Sequence, residues 1–453
     1  MSAEGTSRDA MLAEKSAAVC RIGSLMLSAG TGSYRVKLCM GRVAAALGID
    51  QLEAQVSLTE IVATTRAHGA FRTQVVEVPV PHVDADRIEE LMRLSLRAAP
   101  GTTAAEFHAE LDAVVARRAL YPRWLVVAGA AMACAAFAFL NNGRWMECLA
   151  AGLAAALGKF VQLSLRRFRL NPLAVVAVAS FVACLTFMLL ANGIALIIPG
   201  LSVEAAAFTS AILFLVPGFP LLTAALDLAR FDFSSGVSRL LYTVMITVAA
   251  SLGGWLVAWG FGLPLTPITP PELAPGPLAL LRAVASFAGV LGFALTFNTP
   301  LRVGLVAATI GSIANVLRLS AVDLGVNALA AALVATTIVG LLAGSVNQRL
   351  LAPRITLSVP AVLIMIPGAS TYRAMVGMIN EDALAALTNF TAALGVVVCL
   401  AAGLAVARMV TDPAWISAAP AWTRMPSTPA QRELRRRISG DPPRPDAGGR
   451  RRE

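Results

Sequence analysis

Long apolar runs dominate the chain from Trp124 to about residue 407, and short polar stretches separate them. The runs are rich in Ala, Leu and Val and approach the roughly 20 residues that a helix needs to cross a bilayer, which favours helical spans over barrel strands. Because spans four and nine are short, we expect each to be broken or re-entrant. The ten predicted spans are 124–140, 145–165, 173–191, 201–216, 240–262, 278–297, 303–317, 324–343, 355–366 and 384–407.

The first 120 residues have the mixed pattern of a soluble domain. Residues 1–19 are polar and mixed in charge, and we expect them to be disordered. Residues 20–120 combine helical spacing with Val-, Ile- and Thr-rich stretches, which predicts a small α+β domain. Its predicted elements are a helix from Ser33, strands at 52–66 and 71–80, and two amphipathic helices after Pro81 and Pro100.

Composition points to an integral membrane protein. Hydrophobic residues make up 57% of the chain and charged residues 14%, whereas charged residues are about a quarter of a typical soluble protein. The six cysteines have no paired spacing, which argues against a disulfide scaffold and a cysteine-type zinc site. The N-terminal domain has no nucleophile motif, metal-ligand spacing or Gly-rich phosphate loop, so we expect no enzyme activity, metal or cofactor.

The distribution of positive charge predicts an orientation. The net charge is +10, and with the N-terminal domain inside, twelve arginines lie at the inner edges of the spans. The outer edges hold four arginines: Arg144, Arg282, Arg318 and Arg373. Both termini are therefore expected in the cytoplasm of a bacterium, with the spans in its inner membrane. Basic residues at membrane edges and in a tail also argue against a nucleic-acid partner.

An internal repeat relates the two halves of the membrane region. Pro217-Gly218 ends an apolar run in the first half, and Pro367-Gly368 does so 150 residues later in the second half. Five spans is an odd number, so the two repeats are expected to enter the membrane in opposite senses, as in many secondary transporters. The predicted units are repeats at 121–262 and 278–412, an external Pro-rich linker at 263–277 and a disordered basic tail at 413–453.

The broken spans predict a set of candidate substrate-binding residues. A Pro-Gly break leaves backbone carbonyls without helical partners, and ionisable groups close to it usually have a partner or a function. The predicted substrate-binding residues are Pro217, Gly218, Asp227, Asn298, Arg302, Pro367, Gly368, Tyr372 and Arg373. A coupling proton is expected on one of Asp227, Glu147, Glu204 and Asp323, and the choice among them is open. Lys159 is a further charge within a span.

Several of these segments resemble the threonine/serine exporter family over residues 20–408. The segments are GTGSYRVKLCMGRVAAALGID, VSLTEIVATTR, FRTQVVEVPV, LVPGFPLLTAALDL and IPGASTYRAM. The resemblance implies a cytoplasmic domain fused to two five-span units and proton-coupled export of L-threonine and L-serine. The chain departs from the family pattern at GTGSYRV and at SLT, which concerns the role of the N-terminal domain.

Alternative functions follow from the same residues. Related split systems are associated with dicarboxylate export, so efflux of a small organic acid such as succinate is the second hypothesis. Arg373 and Arg302 would then matter more than Asp227. A membrane-anchored hydrolase that uses the N-terminal domain is the third, and it lacks a nucleophile and base motif. A homo-oligomer is an open possibility.

Overall fold

The chain divides into a mixed region of helices and strands, up to residue 116, and an all-helical region from residue 123. The computed structural model describes residues 3–79, 82–197, 206–262, 273–350, 352–412 and Trp415. The expected tail at 413–453, apart from Trp415, and most of the linker at 263–277 lie outside the described residues.

The N-terminal domain packs helices on one face of a small antiparallel sheet. The sheet has the strand order β1-β2-β3. Gly23 allows the closest approach of the first helix to its neighbours, since a Cβ there would lie 3.2 Å from Ile61 Cδ1 and too close to Met40. The elements are α1 (Ala3–Ser28), α2 (Ser33–Ala46), β1 (Gln51–Val56), β2 (Glu60–Ala67), β3 (Ala70–Glu77), α3 (Ala85–Arg97) and α4 (Ala104–Ala116).

Two expectations for this domain are corrected. Residues 1–19 were expected to be disordered, but α1 begins at Ala3, and its later turns bury Leu12 and Val19 in the core of the domain. Small Ala and Ser residues make up much of the buried face of α1, so the apolar periodicity of this helix is weak in the sequence. The predicted strand at 52–66 is two strands, because the chain turns where Ser57 N donates to Glu60 O at 2.9 Å.

Each half of the membrane region contains four long helices and one broken segment. The first half has α5 (Arg123–Leu140), α6 (Trp145–Leu165), α7 (Pro172–Ile197), α8 (Ala206–Ser210), a 3-10 turn (Leu213–Leu215), α9 (Gly218–Leu228) and α10 (Phe233–Phe261). The second half has α11 (Pro275–Thr296), α12 (Leu301–Asp323), α13 (Ala328–Leu350), α14 (Arg354–Leu363), α15 (Gly368–Ile379) and α16 (Ala383–Thr411). Within the described residues, eight helices are long and apolar enough to cross a membrane.

The two broken segments share one backbone structure. Gly218 N donates to Val216 O at 2.8 Å, and Gly368 N donates to Ile366 O at 2.9 Å. One turn later, Leu221 N bonds Pro217 O at 3.0 Å and Thr371 N bonds Pro367 O at 3.1 Å. A left-handed residue follows each short helix, Phe231 with a φ of 60° and Glu381 with a φ of 56°. All of these positions are 150 residues apart, as are the Pro-Gly pairs.

The predicted spans at 201–216 and 355–366 cover only the first parts of these segments. A new helix begins at the glycine of each pair, Gly218 or Gly368, and its first helical bonds are those accepted by the proline carbonyls. Both predicted spans end directly before a proline, because a helix usually stops there. The structure therefore extends both segments, to Leu228 and to Ile379.

Glycines allow the two halves to approach closely. A Cβ at Gly129 of α5 would lie 3.0 Å from the carbonyl oxygen of Gly292 of α11, and Gly289 of α11 lies against Ala136 of α5. Higher residue numbers on one helix thus meet lower numbers on the other, so α5 and α11 cross antiparallel. A Cβ at Gly218 would collide with Leu363, which brings the first Pro-Gly break against the end of α14.

Candidate functional site

A cavity of about 480 Å³ lies beside the first Pro-Gly break. It is bounded by α6, by α10, by the end of α11 and by the segments of the N-terminal region that face the membrane helices. Its polar and backbone contributors are His82, Asp84, Tyr121, Lys159, Gln162, Arg166, Pro217, Gly218, Tyr242, Thr296 and Asn298. The volume falls within the range of about 300–1,000 Å³ that is typical of small-molecule pockets.

One face of α6 supplies a polar stripe to this cavity. Lys159, Gln162 and Arg166 are spaced by three and four residues, which places them on the same side of a helix. The Lys159 side chain is 8% exposed, and its Nζ donates to Gln162 Oε1 at 2.9 Å. Gly158 leaves room for the Phe214 ring, whose centroid lies 5.8 Å from Lys159 Nζ. Arg166, the residue that follows α6, is exposed.

The Pro-Gly break supplies the start of a helix. Pro217, Gly218, Phe219 and Pro220 all line the cavity, and α9 begins at Gly218. Pro220 has no N–H group, so it cannot give Val216 O the usual helical bond, and Gly218 N bonds that oxygen instead. The first turn of a helix carries a partial positive charge from its free N–H groups. This end of the cavity is therefore favourable to a negatively charged group.

Asp227 lies apart from the residues that line this cavity. Its carboxylate is 3% exposed and accepts from Ser33 N at 3.3 Å and from Ser235 Oγ at 2.8 Å. Arg239 Nε lies 3.4 Å from the same carboxylate, and the Arg239 guanidinium also donates to Thr31 O at 2.7 Å. Asp227, on α9, thus joins the start of α2 to the first turns of α10.

Asn298 and Arg302 attach the N-terminal domain to the second half. Asn298 Nδ2 donates to Asp84 Oδ1 at 2.8 Å, while Asn298 Oδ1 accepts from Leu120 N at 2.9 Å. Arg302 pairs with Glu89 of α3, which also pairs with Arg93. Burial raises the pKa of Glu89, and the two guanidinium groups oppose that shift. Of the two residues, only Asn298 also lines the cavity.

The second break packs beside the first but does not line its cavity. A Cβ at Gly218 would lie 3.5 Å from Ile366 Cδ1, directly before Pro367. Gly368 packs closely against the Phe137 ring. A Cβ added at Gly368 would collide with that ring and would lie 3.5 Å from Asn141 Oδ1. Arg373, on α15, is partly buried and does not line the 480 Å³ cavity, nor does Pro367. Tyr372 belongs to the same helix, and its side chain is outside the described residues.

The other predicted proton carriers have separate environments. Glu147 is 3% exposed and caps the start of α6, where Arg144 N donates to its Oε2 at 2.7 Å. Asp323 pairs with Arg282. Glu204 lies outside the described residues. The structure therefore brings Pro217, Gly218 and Asn298 together around one cavity, whereas Asp227, Arg302, Glu147 and Asp323 make other contacts.

Five residues that line the cavity were not among the predicted substrate-binding residues: Lys159, Gln162, Arg166, His82 and Tyr242. The polar spacing along α6 is a signal that could have identified the first three. His82 has no such signal, since it enters the cavity through the packing of the N-terminal domain, where burial lowers its pKa. Within the described part of the chain, no three His, Cys, Asp or Glu side chains are grouped so as to hold a metal ion.

Most of the chain matches the models of two known families. Residues 17–262 match the family described as "Putative threonine/serine exporter", and residues 282–410 match "Threonine/Serine exporter, ThrE". No solved structure matches the chain.

The curated relatives cover different shares of the chain. A "Probable threonine/serine exporter" of Mycobacterium tuberculosis is 25% identical over 413 residues, which cover 87% of this chain and 75% of that protein. A "Threonine/serine exporter" of Corynebacterium glutamicum is 26% identical over 406 residues, 85% of this chain and 80% of that protein. A "Probable succinate transporter subunit YjjP" of Escherichia coli is 27% identical over 263 residues, 55% of this chain and 98% of that protein.

The family matches and the eight apolar helices together describe a multi-pass membrane transporter. The first match alone extends over more than half of the chain, and the second continues through the other half. The chain belongs to the threonine/serine exporter family.

Proposed function

We propose that the protein exports L-threonine and L-serine from the bacterial cytoplasm in exchange for protons. The observation that carries this proposal is the 480 Å³ cavity at the Pro217-Gly218 break. It offers an apolar wall with a few convergent polar groups, the usual character of a small-molecule site. Interrupted segments at corresponding places in two repeats are the elements that form substrate sites in many secondary transporters.

We further propose that the two halves are inverted repeats with ten spans in total. The matched hydrogen bonds at the two breaks support the repeat, and the antiparallel crossing of α5 and α11 supports the inversion. Eight long helices and two broken segments then make ten crossings. Rocking of one repeat against the other would expose the central region to each side of the membrane in turn.

The proposed orientation has the N-terminal domain and both termini in the cytoplasm. The arginine asymmetry supports this arrangement. The cavity, which His82 and Tyr121 help to line, then faces the cytoplasm, where substrate would enter. Release on the far side requires the N-terminal domain or the helices beneath it to close this entrance.

Proton coupling is proposed for one of the carboxylates at Asp227, Glu147, Glu204 and Asp323. Asp227 has contacts suited to such a role, because protonation would weaken its attraction to Arg239 and its bond from Ser33 N. The proton would thus loosen the junction between the N-terminal domain and α9. The predicted substrate-binding roles of Asp227, Arg302, Pro367, Gly368, Tyr372 and Arg373 remain proposals alongside those of Pro217, Gly218 and Asn298.

Export of a small organic acid such as succinate is the second candidate function. Two cationic side chains, Lys159 and Arg166, line the cavity, and a dicarboxylate could contact both. The E. coli relative that matches 55% of the chain is named a probable succinate transporter subunit.

Transport into inside-out membrane vesicles distinguishes these functions. Export then appears as accumulation of labelled L-threonine, L-serine or succinate, and an acidic vesicle lumen supplies the proton gradient. We expect accumulation of threonine and serine that requires the gradient and is absent from vesicles without the protein. Accumulation of succinate alone would replace the first proposal with the second. Failure of all three substrates to accumulate would contradict both.

A further inference from the structure

Lys159 is an unusual residue in this chain. The sequence contains three lysines, Lys15, Lys37 and Lys159, and only the last lies in the membrane region. Its side chain is 8% exposed. Among the described residues, no carboxylate oxygen lies within 4.0 Å of its ammonium group. Burial of an ammonium group without a counter-ion is costly, so an anion that reaches this position relieves a cost that the surrounding protein leaves in place.

The contacts of Lys159 leave its ammonium available to a ligand. Of its three N–H donors, the structure pairs one, with Gln162 Oε1. The Phe214 ring lies beside the ammonium at a distance suited to a cation–π contact and does not neutralise the charge. The rest of the cavity is the space into which a ligand would fit.

The remaining charges around the cavity also favour an anion. Arg166 adds a second cation, and the first turn of α9 adds a partial positive charge. Asp84 is the one carboxylate among the described residues that line the cavity, and its Oδ1 already accepts from Arg87 N and Asn298 Nδ2. The electrostatic balance therefore selects a negatively charged group.

We propose that the Lys159 ammonium binds the carboxylate of the transported molecule. The site then takes small carboxylates and rejects the corresponding amides, because an amide supplies no negative charge to the buried ammonium. This inference rests on the proposed transport function, and it applies equally to a zwitterionic amino acid and to a dicarboxylate.

Lysine acylation of the purified full-length chain in lipid nanodiscs tests this assignment. An amine-reactive acetylating reagent is applied with L-threonine, succinate, L-threoninamide or succinamide, and modification of each lysine is followed by mass spectrometry. The free amines of L-threonine and L-threoninamide also consume reagent, so acetylation of Lys159 is measured relative to that of Lys15 and Lys37 in the same sample. We expect L-threonine or succinate to lower this ratio at least fivefold. An equal ratio with all four compounds would overturn the proposal, and so would equal protection by the amides.

Substitutions give a second measurement. In the vesicle assay, Lys159→Met should raise the KM of the transported carboxylate roughly tenfold to hundredfold, as expected for loss of a charged hydrogen bond, and Lys159→Arg should restore part of the affinity. Arg167→Met is the matched control, because Arg167 follows the same helix, stacks on Phe168 and does not line the cavity.

The outcomes separate this inference from the proposed function. If threonine and serine are not transported but succinate protects Lys159, the proposed substrates are wrong and the site stands. If vesicles accumulate threonine while Lys159→Met leaves its KM unchanged, the transport function stands and the assignment of Lys159 is wrong.

Discussion

At the residue scale, the buried pair of Asp227 and Arg239 holds the N-terminal domain on the first half. Asp227 receives a backbone N–H from Ser33, and Arg239 donates to the Thr31 carbonyl, so both charges reach across to the same loop. Removal of one partner from a buried ion pair typically costs about 3–5 kcal/mol, because the other charge remains buried and uncompensated. We expect Arg239→Met to lower the melting temperature of the detergent-solubilised protein clearly, whereas Arg167→Met should not. Identical melting of Arg239→Met and the unmodified protein would show that the pair contributes little to this junction.

At the element scale, helices α5 and α11 approach so closely that their crossing depends on glycine. A Cβ at Gly292 would collide with the carbonyl oxygen of Gly129, which is backbone and cannot rotate away. Overpacking of this kind typically costs about 1–3 kcal/mol. We expect Gly292→Ala to lower the melting temperature in detergent, and Gly276→Ala, at an open position on the same helix, to leave it unchanged. A Gly292→Ala protein as stable as the original would mean that the helices cross with more freedom than these contacts allow.

At the scale of the whole molecule, the N-terminal domain contacts both halves. It reaches the first half through Ser33 and Asp227, and the second through the pairing of Glu89 with Arg302. The E. coli relative matches 55% of this chain over 98% of its own length, so that relative is about half as long as this chain. We expect the two halves, divided within 263–272 and produced together, to purify as one complex through the α5–α11 crossing and the domain contacts. Separate elution of the halves would show that the linker is needed to hold them.

The sequence by itself determined the elements whose signals are local. Apolar runs of spanning length predicted the long helices, because burial in lipid requires such runs. The two Pro-Gly pairs located both breaks, since proline removes a helical hydrogen bond wherever it stands. Helices α3 and α4 were predicted as amphipathic segments after Pro81 and Pro100, and the structure adds the caps Asp84 and Thr103.

Only the tertiary structure decided which of these residues meet. Helical spacing assigns Lys159, Gln162 and Arg166 to one face of α6, but the neighbour of that face depends on how α6, α10 and the N-terminal domain pack. Asp227 and Arg239 are twelve positions apart in the sequence, and their pairing requires the turn between α9 and α10. Residues 1–19 were expected to be disordered because they are polar and mixed in charge. Most of them belong to α1, whose small buried residues form a core only where the sheet covers them. Periodicity defines the face of a helix, whereas long-range packing determines what covers that face.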